Sequence, residues 1–296
     1  MAEQLWTSSI TGYRRTGTRL SELRSLLGAG ITARAILEPL QSCPADVSAI
    51  EMANLLKQKD FDVAGVQSER GGRVIGLVTR EALTRGTVRD HLTPISAEHL
   101  VSEATPLPGL LATLRDRPHA FVLVGAEVRG IVTRADLNKP PVRVYLFGLV
   151  SLLEMHLVFW IAADYPGDSW QSELNARRLD AARGLQAERH RRNQDSGLLG
   201  CLQFCDKRDL VLARDEVRRR MQLGEKSAAH ALLARAEDLR NSLAHGQRDL
   251  DDGTSWNDVI ELVEWMEIVV HASDELIAES AAKTVPRGDD DLWASV

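Results

Sequence analysis

Gly130-Ile131-Val132-Thr133-Arg134-Ala135-Asp136-Leu137 decides how the first half of this chain folds, because the sequence has already used the same phrase once. Gly76-Leu77-Val78-Thr79-Arg80-Glu81-Ala82-Leu83 is its earlier copy, and the match extends back so that residues 72–83 align with 126–137. The two glycines stand 54 residues apart, from Gly76 to Gly130, a span typical of one supersecondary repeat. Each copy carries its signals in the same order. A helical pattern (47–58, then 107–115) precedes a short apolar strand (61–66, then 120–124). A glycine-bearing turn follows, then a second apolar strand that ends in Thr and the start of another helix. The expected product is two βαββα units in tandem over residues 30–141, preceded by a helical segment, 1–29.

The end of the second strand has chemistry of its own. Thr133 stands where a helix N-cap is wanted, and Asp136, three positions on, shares its side of the first turn. A hydroxyl and a carboxylate so placed can grip a cis-diol such as a ribose. The helix N-terminus, with Arg134, can meet a phosphate. The bland alternative is that Thr133 and Asp136 only cap a helix in a scaffold. The first copy keeps Thr79 and Arg80 but has Ala82 in place of the Asp, so one good and one degraded site are expected. This strand–Thr-x-x-Asp–helix phrase, most complete in Gly130 to Leu137, resembles a CBS domain, and the tandem resembles a CBS pair. The resemblance implies a regulatory adenosine nucleotide (AMP, ADP, ATP or a relative) bound by Thr133, Asp136, Arg134 and, more weakly, Thr79.

Beyond Asn138-Lys139-Pro140-Pro141, read as a stiff exit from the pair, no convincing strand follows. Helices are expected at 144–163, 170–193, 198–206, 210–222, 227–245 and 255–279. The first of these is apolar enough to raise the membrane question. Glu154 and His156 near its middle argue against a span, since a central charge costs about 3 kcal/mol on insertion scales. It is read instead as a helix buried on most sides, with Glu154 seeking Arg240, His245 or some other Arg as its partner.

Near the end of the fifth helix, Arg240-Asn241-Ser242-Leu243-Ala244-His245-Gly246 gathers a cation, an amide and an imidazole within about one and a half turns. A fixed guanidinium beside a group that moves protons near neutral pH suits phosphodiester cleavage. In one unbroken helix, however, Arg240 and His245 point about 140° apart, five steps of about 100°. Either the helix breaks before Gly246, where a left-handed cap is expected, or a second copy of the chain completes the site. Arg-x4-His with the adjacent Asn resembles the signature of HEPN domains, and an all-α bundle over 142–280 agrees with it. The resemblance implies a homodimer and a metal-independent endoribonuclease. Arg240 would stabilise the phosphorane, His245 would act as base or acid, and Asn241 would orient a phosphate oxygen or the histidine; Glu154, in its apolar helix, is a second candidate for the site. A non-catalytic, CBS-regulated helical dimer that binds nucleic acid or protein is the rival. Gln247 stands where HEPN toxins paired with nucleotidyltransferases carry a Tyr, which disfavours that subtype.

Composition bounds the rest. At 296 residues, with 44% hydrophobic and 26% charged, the chain holds two ordinary domains of α+β class. A net charge of −6 confines any RNA contact to a local patch. The clusters Arg177-Arg178, Arg189-His190-Arg191-Arg192 and Arg218-Arg219-Arg220 are either such a track or an ordinary solvated face, because acids alternate with them. Three cysteines suit a reducing compartment. Cys201 and Cys205 could meet a metal at i, i+4, but two buried thiols are the commoner outcome. Residues 1–10 lack a leader pattern, so a cytoplasmic location without membrane attachment is expected. The acidic tail, 281–296, reads as flexible.

Overall fold

The computed structural model describes residues 17–194, 197–245, 249–251 and 254–284. Residues 1–10, Gly246, Gln247 and most of the acidic tail, on which expectations were placed above, lie outside the described residues. The chain divides into two units. One is Leu27–Arg143; the other joins Met1–Leu26 to Val144–Val296, so the first is inserted in the sequence of the second.

The helical unit begins with α1 (Leu20–Leu23), which continues as a π-helical turn, Arg24–Gly28. The chain then builds the tandem-repeat unit. α2 (Ala33–Ile36) leads to a two-residue strand β1 (Glu38–Pro39), after which repeat one runs β2 (Ser42–Pro44), α3 (Ala49–Lys59), β3 (Val63–Gln67) and β4 (Val74–Thr79). A second two-residue strand, β5 (Thr93–Pro94), opens repeat two: β6 (Leu100–Ser102), α4 (Leu107–Asp116), β7 (His119–Val124) and β8 (Glu127–Thr133).

Two four-stranded sheets result, ordered β1-β8-β7-β6 and β2-β3-β4-β5. The sequence repeat is thus a repeat of topology in which each repeat lends its leading strand to the other's sheet. The glycines mark the crossing. Gly76 pairs with Pro94, and Gly130 with Pro39. A Cβ on Gly76 would stand 2.7 Å from the Thr93 carbonyl oxygen, and one on Gly130 3.1 Å from Leu37 Cδ1, so the lent strand needs a residue without a side chain there. Bulges also correspond, after Val66 and after Val122. Val63, Leu77 and Phe121 bury together, with Leu40 and Ile131 against them, and bind the two repeats into one body.

The structure departs from expectation after the second strand of each repeat. No helix forms after Thr79, only a turn, and a 3-10 helix, Arg134–Asn138, follows Thr133. Ala82 supplies no capping carboxylate in the first copy, and Asp136 does in the second. Pro140 and Pro141 are not a separate exit segment ahead of the helix: they form the first turn of a 25-residue helix, α5 (Pro140–Asp164), where a missing N–H costs nothing.

In the helical unit α5 is followed by a 3-10 stretch, Pro166–Glu173, then α6 (Ala176–Arg191), a 3-10 turn Leu198–Cys201, α7 (Phe204–Ala213), α8 (Asp215–Arg220), α9 (Lys226–Ala244) and α10 (Trp256–Thr284). α5 is long and apolar enough to cross a membrane, and half of its most apolar stretch is buried. His156 is fully buried between Ser273 Oγ at 2.6 Å and Asp274 Oδ1 at 3.2 Å, while Trp160 donates to the same Ser273 oxygen. Asp274 also accepts the Leu20 amide at 2.8 Å, which fastens α1 to α10. Cys201 and Cys205 do not share a helix, because the chain turns at Leu202-Gln203 between them.

Candidate functional site

α9 is helical because Ala229, Leu233, Ala236 and Leu239 recur at spacings of three and four and bury one face. That burial leaves Arg240 and Asn241 at its rim. The Arg240 side chain is 42% exposed. Its Nε lies 3.9 Å from Glu154 Oε2 on α5, and its NH1 donates to Asn241 Oδ1 at 3.2 Å. Glu154 therefore meets Arg240, as one of the sequence alternatives had it, but its closer partner is a residue the sequence did not suggest. Lys207 Nζ on α7 donates to Glu154 Oε1 at 2.5 Å, with side-chain exposures of 4% for the lysine and 21% for the glutamate.

One carboxylate thus sits between a buried ammonium and a half-exposed guanidinium. These three side chains carry a formal surplus of one positive charge, which is what an incoming phosphate requires. Next to them one cation meets two carboxylates, Arg208 NH1 reaching Glu237 at 3.1 Å and Arg208 Nε reaching Asp209 at 3.2 Å, so the surplus is confined to those three side chains. Lys207 was hidden because the expected helices, 198–206 and 210–222, left it in the gap between them. The real helix α7 carries it inward.

His245 closes α9 with φ −91 and ψ 3, its N–H donating to the Asn241 carbonyl at 2.9 Å, and its side chain is exposed. The backbone leaves α geometry only at this residue. Among the described residues nothing joins the His245 ring to Arg240, Asn241 or Glu154 within one chain.

In the tandem-repeat unit, Thr133 and Asp136 do come together. Both the Thr133 N–H, at 2.7 Å, and its hydroxyl, at 2.9 Å, donate to Asp136 Oδ2. Lys139 Nζ reaches Asp136 Oδ1 at 2.9 Å and also Glu38 and the Ile36 carbonyl. Burial lowers the Lys139 pKa, but its hydrogen bonds to Glu38 and Asp136 outweigh this, and the net shift is upward. The Asp136 side chain is 8% exposed, so a ribose would reach it only at an edge. Arg134 is engaged elsewhere: its guanidinium donates to the carbonyls of Leu114, at 2.7 Å, and Arg115, at 2.8 Å, at the end of α4. Thr79, exposed at the end of β4, pairs with Val63 of β3, and its carbonyl accepts the Ala82 amide of the turn that follows.

The same Thr-x-x-Asp device recurs at Thr87 and Asp90, which cap a 3-10 turn, Val88–His91, with the Thr87 N–H donating to Asp90 Oδ2 at 2.8 Å. The sequence reading overlooked this pair, and its signal was the spacing itself.

No family model matches this sequence, and no curated protein does. Solved structures to which part of the chain is similar include CBS domains. A CBS domain pair in complex with 5-methylthioadenosine and S-adenosyl-L-methionine is 18% identical, with a TM-score of 0.32, covering 36% of this chain and 96% of that one. The CBS domain of the bacterial CNNM/CorC family Mg2+ transporter in complex with ATP is 19% identical, with a TM-score of 0.33, covering 38% and 88%. CBSX2 in complex with AMP is 20% identical, with a TM-score of 0.33, covering 40% and 97%. Likenesses at these values place no ligand in this chain.

Proposed function

We propose that this chain is an endoribonuclease of the HEPN type whose tandem-repeat unit, a CBS pair, answers to an adenosine nucleotide. The observation that carries the reading is the Arg240 guanidinium, held at the surface by Glu154 and Asn241 while Lys207 occupies the other Glu154 oxygen. A half-exposed cation whose position is set by a buried ion pair is preorganised for a phosphoryl group.

Because His245 does not meet Arg240 within one chain, the reading requires a homodimer in which two Arg240–His245 motifs face one strand. The substrate's 2′-hydroxyl gives its proton to one His245 and attacks phosphorus, and the phosphorane charge rests on Arg240. The bond to the 5′-oxygen breaks as the other His245 returns a proton to it, leaving a 2′,3′-cyclic phosphate and a 5′-hydroxyl. This route uses the substrate's own nucleophile. In the tandem-repeat unit, Asp136 caps its helix and still has lone pairs for a ribose hydroxyl, since an ionised carboxylate accepts about four hydrogen bonds.

The test is cleavage of structured RNA by the purified chain in EDTA, with and without AMP and ATP, and identification of the product ends. Arg240→Ala and His245→Ala should each lower the rate by roughly 10²–10⁴. Activity that survives either change, or that needs a divalent ion, overturns the assignment. The separation of the His245 ring from Arg240 also favours a second reading, a dimer that binds RNA and cuts nothing. It predicts RNA binding without new ends.

A further inference from the structure

Most of the arginines that could form an RNA track are already paired. Arg218 meets Asp215 at 2.8 Å, Arg219 meets Glu216 at 2.6 Å, Arg220 meets Asp164 at 3.0 Å, and Arg192 meets Glu188 at 2.9 Å. Arg177 differs. It is exposed, has no hydrogen bond or ion pair among the described residues, and lines a cleft of about 520 Å3 between α6 and the segment leading into α7.

The cleft has two ends of different character. At one, Arg177 and Arg178 stand on the first turn of α6, where the Asn175 side chain caps the Arg178 amide at 3.0 Å and the Arg177 amide lacks an intrahelical acceptor. Arg178 is paired there with Asp206, at 3.1 Å and itself in the cleft wall, and with Asp209, at 3.0 Å, so Arg177 is the cation of this end that has no acid partner among the described residues. Further along α6, the wall is Ala181, Ala182 and Leu185, an apolar shelf that includes one of the exposed large hydrophobic side chains. The volume falls in the range of small-molecule sites. A free cation beside an apolar shelf matches a phosphate joined to a flat, weakly polar base.

We propose that this cleft is a second nucleotide site, in the helical unit, that holds a phosphate at Arg177 and a base against Ala181 and Leu185. A unit of an RNA strand and a free mononucleotide present the same chemistry. The strand version rests on the ribonuclease reading, in which the cleft grips substrate flanking the scissile bond.

The test uses the full chain carrying Arg240→Ala, so that RNA stays intact, with two probes: a short fluorescein-labelled single-stranded RNA, followed by anisotropy, and AMP, followed by calorimetry. Arg177→Glu and Ala181→Trp should each weaken the RNA at least about tenfold, and the first should lower the salt slope by about one. Arg183→Glu makes the same charge change on α6 outside the cleft and should have little effect. Ala181 is exposed, so Ala181→Trp narrows the cleft without disturbing the core, which circular dichroism checks. If the RNA weakens and AMP does not, the occupant is a strand; if AMP weakens in Ala181→Trp, it is a free nucleotide. Equal effects of Arg177→Glu and Arg183→Glu, or neither probe responding to Ala181→Trp, overturn the site. Cleavage by the Arg240-bearing chain that persists in Ala181→Trp with unchanged affinity would remove the cleft and leave the ribonuclease reading standing.

Discussion

Lys207 and Glu154 show what a buried ion pair demands of a fold. Removing one partner leaves the other charge in a place water barely reaches. Lys207→Met is therefore expected to cost about 2–4 kcal/mol, reduced from the fully buried case because Glu154 is partly exposed. Converting both, Lys207→Met with Glu154→Leu, should recover most of that stability in chemical denaturation while removing one of the two side chains that hold Arg240. A double variant no more stable than Lys207→Met would mean that the pair is not the source of the cost. His119 is a different case. Burial first, and then the charge of His99, hold its imidazole below its ordinary pKa. As pH falls below about 6.5, the unfolded chain takes up this proton before the folded one does, so stability present above that value is lost as pH falls toward the folded value. Thermal melts between about pH 5 and pH 7.5 should show this decline, and His119→Gln should flatten it. An unchanged slope would assign the effect to another group. These residues also mark the limit of what sequence reading reached. Arg240 and Glu154 were found because a motif and an apolar helix drew attention to them. Lys207 sits in the mixed charges Asp206-Lys207-Arg208-Asp209, which look the same whether the helix turns them outward or inward.

At the scale of elements, the tandem repeat was legible because it is written twice, while boundaries between short helices were not. α7 ends at Ala213 and α8 starts at Asp215, a break that no proline or glycine announces. The lent strands β1 and β5, two residues each, were too short for any alternation to reveal. The paired glycines were visible as a repeat, but their reason, close approach of a lent strand paired beside them in the same sheet, needed the structure. That reason makes a graded prediction. Gly76→Ala meets a backbone oxygen at 2.7 Å, whereas Gly130→Ala meets a leucine methyl at 3.1 Å that can move aside. Gly76→Ala should destabilise by about 1–3 kcal/mol, Gly130→Ala by less, and Gly125→Ala, with open space but φ of 62, by strain alone. Equal melting temperatures for the first two would contradict that close approach. At the end of the second repeat, Asp136→Ala removes a cap and should cost about 1 kcal/mol, together with weaker AMP or ATP binding in calorimetry. Stability loss with unchanged affinity would leave Asp136 a structural cap.

For the whole molecule, the sequence suggested domains laid end to end, and the structure instead inserts one unit into the other. Leu20 belongs with α10 through its amide on Asp274, and Arg24 pairs with Glu267, which also accepts from the Tyr145 hydroxyl. Burial, and next that hydrogen bond, push the Tyr145 phenol well above its ordinary value, so the phenol keeps its proton near neutrality. Nothing in residues 19–27 betrays the partnership, because an amphipathic stretch does not say which surface it will cover. Deleting residues 1–26 should therefore loosen α10 and spare the tandem-repeat unit. Hydrogen exchange would show it as faster exchange around Asp274 with β3, β4, β7 and β8 unchanged. Loss of protection in the sheets would contradict the division. The hydrogen bond between Leu20 and Asp274 spans 254 positions, which bears on how the protein is made. On the ribosome the inserted unit has all its strands by Thr133, while Leu20 must wait until nearly the last helix has been synthesised. During that interval the nascent chain carries an unpaired leading segment, and a premature stop late in translation would leave the tandem-repeat unit finished and the helical unit incomplete.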